Sequence, residues 1–121
     1  YFNEIMRPKI QRLKDRAWNV FSLFIRNRDK KCVTCNKILP ITELQAGHFW
    51  HGVLDFDEEN INSQCARCNK WLSGNLAVYA PYLLKKLGKK KFDKLSIRHY
   101  RAMGGEKRSE QDYLNIIEKY K

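Results

Sequence analysis

The chain reads as an α+β fold in which helices dominate, and three observations predict it. Residues 9–28, 76–87, 92–103 and about 110–119 carry apolar side chains at helical spacing. Between Cys32 and Trp50 that period fades and Pro40 and Gly47 punctuate the chain, as in a knuckle followed by a short hairpin or an irregular extended pair. Two C-x-x-C pairs, Cys32/Cys35 and Cys65/Cys68, bracket this stretch. With 121 residues and 43% hydrophobic content the chain can bury a core, but a modest one of the size that often needs a staple.

The elements follow in order. In 9–28, Ile10, Leu13, Ala17, Phe21 and Phe24 form an apolar stripe widened by Trp18, Val20 and Ile25. Arg12, Arg16, Arg26 and Arg28 lie mostly off it, and Pro8 suits the first turn. Residues 51–59, HGVLDFDEE, read as a loop whose acids, Asp55, Asp57, Glu58 and Glu59, are expected to be solvated or to open a helix rather than to bind metal. From Cys65 the pattern turns helical through Trp71 and Leu72 and breaks at Gly74-Asn75. In 76–87, Pro81 predicts a kink or a fresh start, and Gly88 a stop. The helix over 92–103 ends at Gly104-Gly105, and Ser109 with Asp112 resembles a capping box for a last helix to about Lys119.

The formal net charge of +11 favours a polyanionic partner. Nucleic acid leads, because each Lys or Arg set on a phosphate releases a counterion. An anionic membrane surface is the rival, which residues 9–28 partly fit, but no apolar run is long enough to span a bilayer. Residues 1–31 mix Arg and Lys into every apolar stretch, unlike a secretory signal. The chain starts at Tyr1, as a piece of a longer one would.

In such a chain paired C-x-x-C reads as metal ligation before disulfides. Four thiolates, Cys32, Cys35, Cys65 and Cys68, suit tetrahedral Zn2+ in a closed, structural site. The expected organisation is one domain over 1–121: a basic amphipathic helix in 1–31, a zinc-stapled core in 32–75 and helices in 76–121.

Nested among the cysteines are A-G-H-F at 46–49, E-N-I-N at 59–62 and C-N at 68–69. Together they resemble the HNH (ββα-metal) endonuclease motif in a treble-clef zinc frame. F-S-L-F-I-R-N-R-D at 21–29, F-D-E-E-N-I-N-S-Q-C at 56–65 and C-N-K-W-L-S-G-N-L at 68–76 are closer still to the NinG/Rap group of phage recombination proteins. The resemblance covers most of residues 17–88. It implies a metal-dependent DNA endonuclease acting on branched, Holliday-junction-like intermediates in the cytoplasm of a bacterial or phage-infected cell, with products ending in 5′-phosphate and 3′-hydroxyl. His48 matches the general base, a task suited to the side chain that titrates nearest pH 7. Asn60 matches the residue that orients the base or braces the hairpin, and Asn69 the last motif position. Mg2+ or Mn2+ would be held by His48, Asn69 and Gln45.

Two departures stand out. Gly47 occupies the place where the wider class carries an acid or a second His. Gln45 stands where the NinG/Rap pattern tends to place Asp, and a neutral amide is a weaker ligand for a hard cation. Asp55, Asp57 or His51 are the candidates to replace it. Arg67 and Lys70, near the motif, and Lys85, Lys86, Lys89, Lys90 and Lys91 are the candidate phosphate contacts. A homodimer would suit paired cuts at a four-way junction. A non-catalytic zinc-dependent nucleic-acid-binding module fits the same charge and cysteines, and a zinc-stapled protein-interaction domain is the third reading.

Overall fold

The computed structural model describes residues 7–121. Its order is α1 (Lys9–Asp29), a 3-10 turn (Ile41–Glu43), β1 (Leu44–His48), β2 (Ile61–Cys65), a π turn (Arg67–Trp71), α2 (Leu76–Leu87), α3 (Lys89–Ala102) and α4 (Glu110–Tyr120). Helix dominates, and β1 and β2 form an antiparallel pair from Leu44↔Cys65 to His48↔Ile61.

α1 buries Leu13, Ala17, Phe21 and Ile25, a strict four-residue repeat that puts one stripe on one face. It stops at Lys30, whose left-handed φ of 61° lets its N–H reach Arg26 O. The stripe serves two partners. Leu13 and Ala17 pack with Tyr113 of α4, while Phe21 and Ile25 pack with Ala46 and Ile61 of the hairpin. Phe21 and Tyr120 meet edge-on with centroids 4.8 Å apart. Each fully buried side chain of this size contributes about 1.5–3 kcal/mol. The capping box expected at Ser109 and Asp112 is present at the head of α4.

A second core holds Phe49, Leu54, Tyr79, Leu83, Leu95 and Ala102, and so joins the hairpin's connecting loop to α2 and α3. Gly88, at φ 79°, separates those helices. α3 starts at Lys89, three residues before the expected 92, because the turn at Gly88 frees the lysine run to begin the helix. Pro81 neither ends nor restarts α2, which runs through it.

The segment after Cys65 differs from the expected helix. It makes one π turn, in which Leu72 N–H donates to Arg67 O at 2.8 Å, and then passes through left-handed Ser73, Gly74 and Asn75. The wide turn carries Cys68 into the cysteine group while Asn69 points to β1.

The acidic loop is also more than a solvated segment. Asp57 and Glu59 both pair with Arg98 of α3, and Glu58 accepts a hydrogen bond from Tyr120 of α4 at 2.7 Å. In a chain of net charge +11 these few acids are the anchors for basic helices. Among the described residues no helix is long and apolar enough to cross a membrane.

Candidate functional site

The sulfurs of Cys32, Cys35, Cys65 and Cys68 all lie within 4.8 Å of one another. None is in a disulfide. A tetrahedron with metal–sulfur bonds of about 2.3 Å has edges of about 3.8 Å, and Cys35 Sγ lies 3.8 Å from Cys65 Sγ. The first pair is shaped by a knuckle in which Cys32 N–H donates to Lys37 O and Asn36 N–H to Cys32 O. Thr34 Oγ1 lies 3.3 Å from Cys32 Sγ, and Asn75 Nδ2 donates to Cys68 Sγ at 3.6 Å, so polar groups outside the quartet already face the sulfurs.

The thiols are electrostatically split. Desolvation opposes ionisation of Cys32, but hydrogen bonds from Thr34 and from backbone N–H groups bring it down to about 6. Desolvation and the neighbouring Cys32 and Cys65 sulfurs push Cys35 up to about 12, against a backbone hydrogen bond from Lys37. Crowded thiols do not all ionise unaided; a bound cation is what lets them. The quartet fits zinc.

At the opposite end of β1, His48 Nε2 lies 2.9 Å from Asp55 Oδ1. The hydrogen bond from His48 holds the Asp55 carboxyl below its ordinary range, so the carboxylate accepts and the proton sits on Nε2. His48 Nδ1 makes no hydrogen bond to any described residue. The ring stacks on Trp18 of α1 at 5.4 Å. Lys14, Asp15, Trp18, His48, Asp55 and Phe56 line a cleft of about 280 Å3 there. The sequence offers Asp55 as a solvated loop acid or, with Asp57 and His51, as a stand-in metal ligand; the 12-residue connection between the strands folds it back onto His48, a contact no local pattern announces. Trp18, expected to widen a core stripe, is the other missed member.

Asn60 is fully buried. Its Oδ1 accepts from Trp50 N–H at 2.8 Å, and its Nδ2 donates to Trp50 O, Leu54 O and Val53 O at 3.1, 3.3 and 3.4 Å. It thus braces the loop that presents Asp55, and its side-chain hydrogen bonds go to that loop and not to His48. Asn62, fully buried on β2, donates to Tyr79 Oη at 3.0 Å and accepts from Arg28 and Lys86.

Strand alternation sends Ala46 and His48 towards α1, and Gln45 and Gly47 to the other face. There Asn69 Nδ2 donates to Gln45 Oε1 at 2.8 Å. A Cβ on Gly47 would collide with the Gln64 side-chain carbonyl and stand 3.0 Å from Asn69 Oδ1. Any side chain at 47 would force the Gln64 amide to shift, so these two amides favour glycine there over the acid of the wider class. Gln64 Oε1 is buried without a hydrogen-bond partner, while its Nε2 donates to Thr34 and Gly74 O. His51, on the exposed loop, has its ring 6.3 Å from that of His48, and burial followed by the His48 charge lowers its pKa.

The expected ligand set for a hard divalent cation is thus divided between two faces. His48 belongs to Asp55 and Trp18, while Gln45 and Asn69 form a neutral amide pair beside Gln64. Hard cations favour carboxylate oxygens, so these residues alone do not fit a tightly held Mg2+ or Mn2+.

The basic candidates also divide. Arg67, Lys70, Lys85, Lys90 and Lys91 are exposed, as phosphate contacts must be. Lys89 pairs with Asp93 at 2.7 Å. Lys86 is exposed as well, but its ammonium donates to buried Asn62 at 2.9 Å, and burial and then Arg28 lower its pKa.

Fold and site together define a basic, helix-rich α+β protein whose hairpin is tied to a short helical turn by four cysteines able to hold zinc. A family model described as Bacteriophage Lambda NinG protein matches residues 5–121, and the chain belongs to that NinG family. It is 33% identical over 102 residues to Protein ninG of Escherichia phage 933W, covering 79% of this chain and 50% of that protein. The same protein of Escherichia phage lambda is 32% identical over 102 residues, covering 79% and 49%. That of Salmonella phage P22 is 33% identical over 102 residues, with the same shares of 79% and 49%. The chain therefore spans about half the length of the curated relatives it matches. No solved structure gives a significant match.

Proposed function

We propose that this chain is a hydrolytic DNA endonuclease of the HNH type, acting on branched recombination intermediates in the cytoplasm of a phage-infected bacterium. The observation that carries the reading is the His48–Asp55 pair. Asp55 fixes the proton on Nε2, so the Nδ1 lone pair is available to take a proton from a water attacking phosphorus. Asp55 then stabilises the imidazolium, as the acid of a His–Asp pair does. Lys14 lines the same cleft and would balance the charge gathered on the phosphate. Zinc in the four-cysteine site sets the hairpin end and takes no part in the proton transfer. Any Mg2+ or Mn2+ would need oxygens beyond Gln45 and Asn69, and the phosphate is the nearest source in a complex. Residues 7–121 would work as one domain, with two copies at a four-way junction.

The neutral Gln45–Asn69 pair favours a second reading: a zinc-dependent DNA-binding module that does not cut. The deciding assay incubates wild type and His48→Ala with a four-way junction and a matched linear duplex, in Mg2+ or Mn2+. The nuclease reading expects wild-type cutting that falls by roughly 10²–10⁴ in His48→Ala with zinc content unchanged. Binding by both proteins without cutting in either metal would leave the module.

A further inference from the structure

Trp71 leaves 82% of its surface in water. The other two tryptophans are covered: Trp18 stacks on His48 and Trp50 lies 3.9 Å from His99 in a parallel stack. An indole is a large apolar plate that a folded chain normally covers. The backbone that carries Trp71 is nevertheless well tied. It ends the π turn, Leu72 N–H donates to the carbonyls of both Arg67 and Lys70, and Gly74 N–H donates to Cys68 O at 2.8 Å. Cys68 in turn belongs to the cysteine quartet.

Its surroundings point to the partner. Arg67 and Lys70, both exposed, stand on the same turn. The turn that follows rests on the loop of the histidine site: a Cβ on Gly74 would lie 3.1 Å from His51 Nε2, and the His51 ring is 6.3 Å from that of His48. An exposed aromatic plate on the same turn as two exposed cations suits a nucleobase with its phosphates, because every base has a π face and every phosphate a charge. Two cations on that turn, in a chain of net charge +11, make a poor seat for a basic or neutral protein helix.

We infer that Trp71 is a base-stacking wedge, which seats on a nucleobase left unstacked in branched DNA while Arg67 and Lys70 neutralise the adjoining phosphates. Continuous duplex hides its base faces, so the wedge rewards an opened stack and not a linear one. The inference rests on the DNA reading above.

The test is a binding titration of the full zinc-loaded chain without Mg2+ or Mn2+, so that cutting does not enter. The probes are a four-way junction carrying 2-aminopurine at the branch and the matched linear duplex. Wild type is expected to prefer the junction and to change the 2-aminopurine emission. Trp71→Ala should weaken junction binding about tenfold and remove the emission change, with duplex binding altered by less than about twofold. Trp71→Phe should keep most of the preference. Zinc content and circular dichroism should stay unchanged in both variants. Equal loss on both DNAs, no loss on either, or a Phe variant as weak as Ala would overturn the wedge. A wild-type chain that binds neither DNA overturns the DNA reading itself, whereas a junction preference untouched by Trp71→Ala overturns the wedge alone.

Discussion

At the Leu44–Cys65 end of the hairpin, four sulfurs from two sequence-local pairs converge within 4.8 Å. At the His48–Ile61 end, the candidate histidine is completed by Trp18, 30 residues before it, and by Asp55 from the connecting loop. The first end is specified by spacing within the chain and held by soft ligands; the second is assembled by tertiary packing and held by one hydrogen bond and a stacked ring. The difference teaches that the cysteine end supplies rigidity, and that the histidine end depends on α1 and the loop staying in place.

Breaking the cysteine end should have the largest effect. In Cys68→Ser, or with a strong chelator, the cooperative thermal transition should be lost along with stoichiometric zinc, since binding energy at such sites is folding energy. Retained cooperativity without zinc would show that the helices carry the fold by themselves. Next in size is Gly47→Ala, the position between the two ends. Its new methyl meets the Gln64 carbonyl and Asn69, and denaturant unfolding should show a loss of about 1–3 kcal/mol. No loss would mean that Gln64 moves aside freely.

The smallest and most selective change is Asp55→Asn. Cutting should fall about tenfold, roughly 1.4 kcal/mol, through loss of the fixed His48 tautomer. The Asp55 pKa is depressed in the folded chain. Its contribution to stability is therefore present in full above the usual carboxylate value of about 4 and lost as pH falls through the lower folded value. The acid limb of a stability-against-pH curve should flatten in Asp55→Asn; an unchanged limb would show that the pair has no energetic weight.

Much of this comparison could be read from the sequence. The cysteine quartet was visible because both pairs have local ligand spacing, and α1 and α4 because their apolar residues recur every three or four positions. His48 stood out through its motif. Asp55 could be named only beside Asp57 and His51 as a candidate ligand, and not as the partner of His48, because one acid among four in a loop carries no mark of which will fold back. The Arg98 pairs with Asp57 and Glu59, separated by 41 and 39 residues, are of the same kind. The apolar residues of the π turn suit an ordinary helix, and periodicity carries no sign of the wider Leu72-to-Arg67 hydrogen bond that closes it.

The outer edge of β2 has a consequence for assembly. Ile61 O accepts from Arg28, Ser63 N–H donates to Asp29, and Ser63 O accepts from Val33 N–H. The groups that an incoming strand would need are already satisfied by the end of α1 and the first knuckle. A further strand cannot extend the sheet along that edge without prising α1 and the first knuckle away.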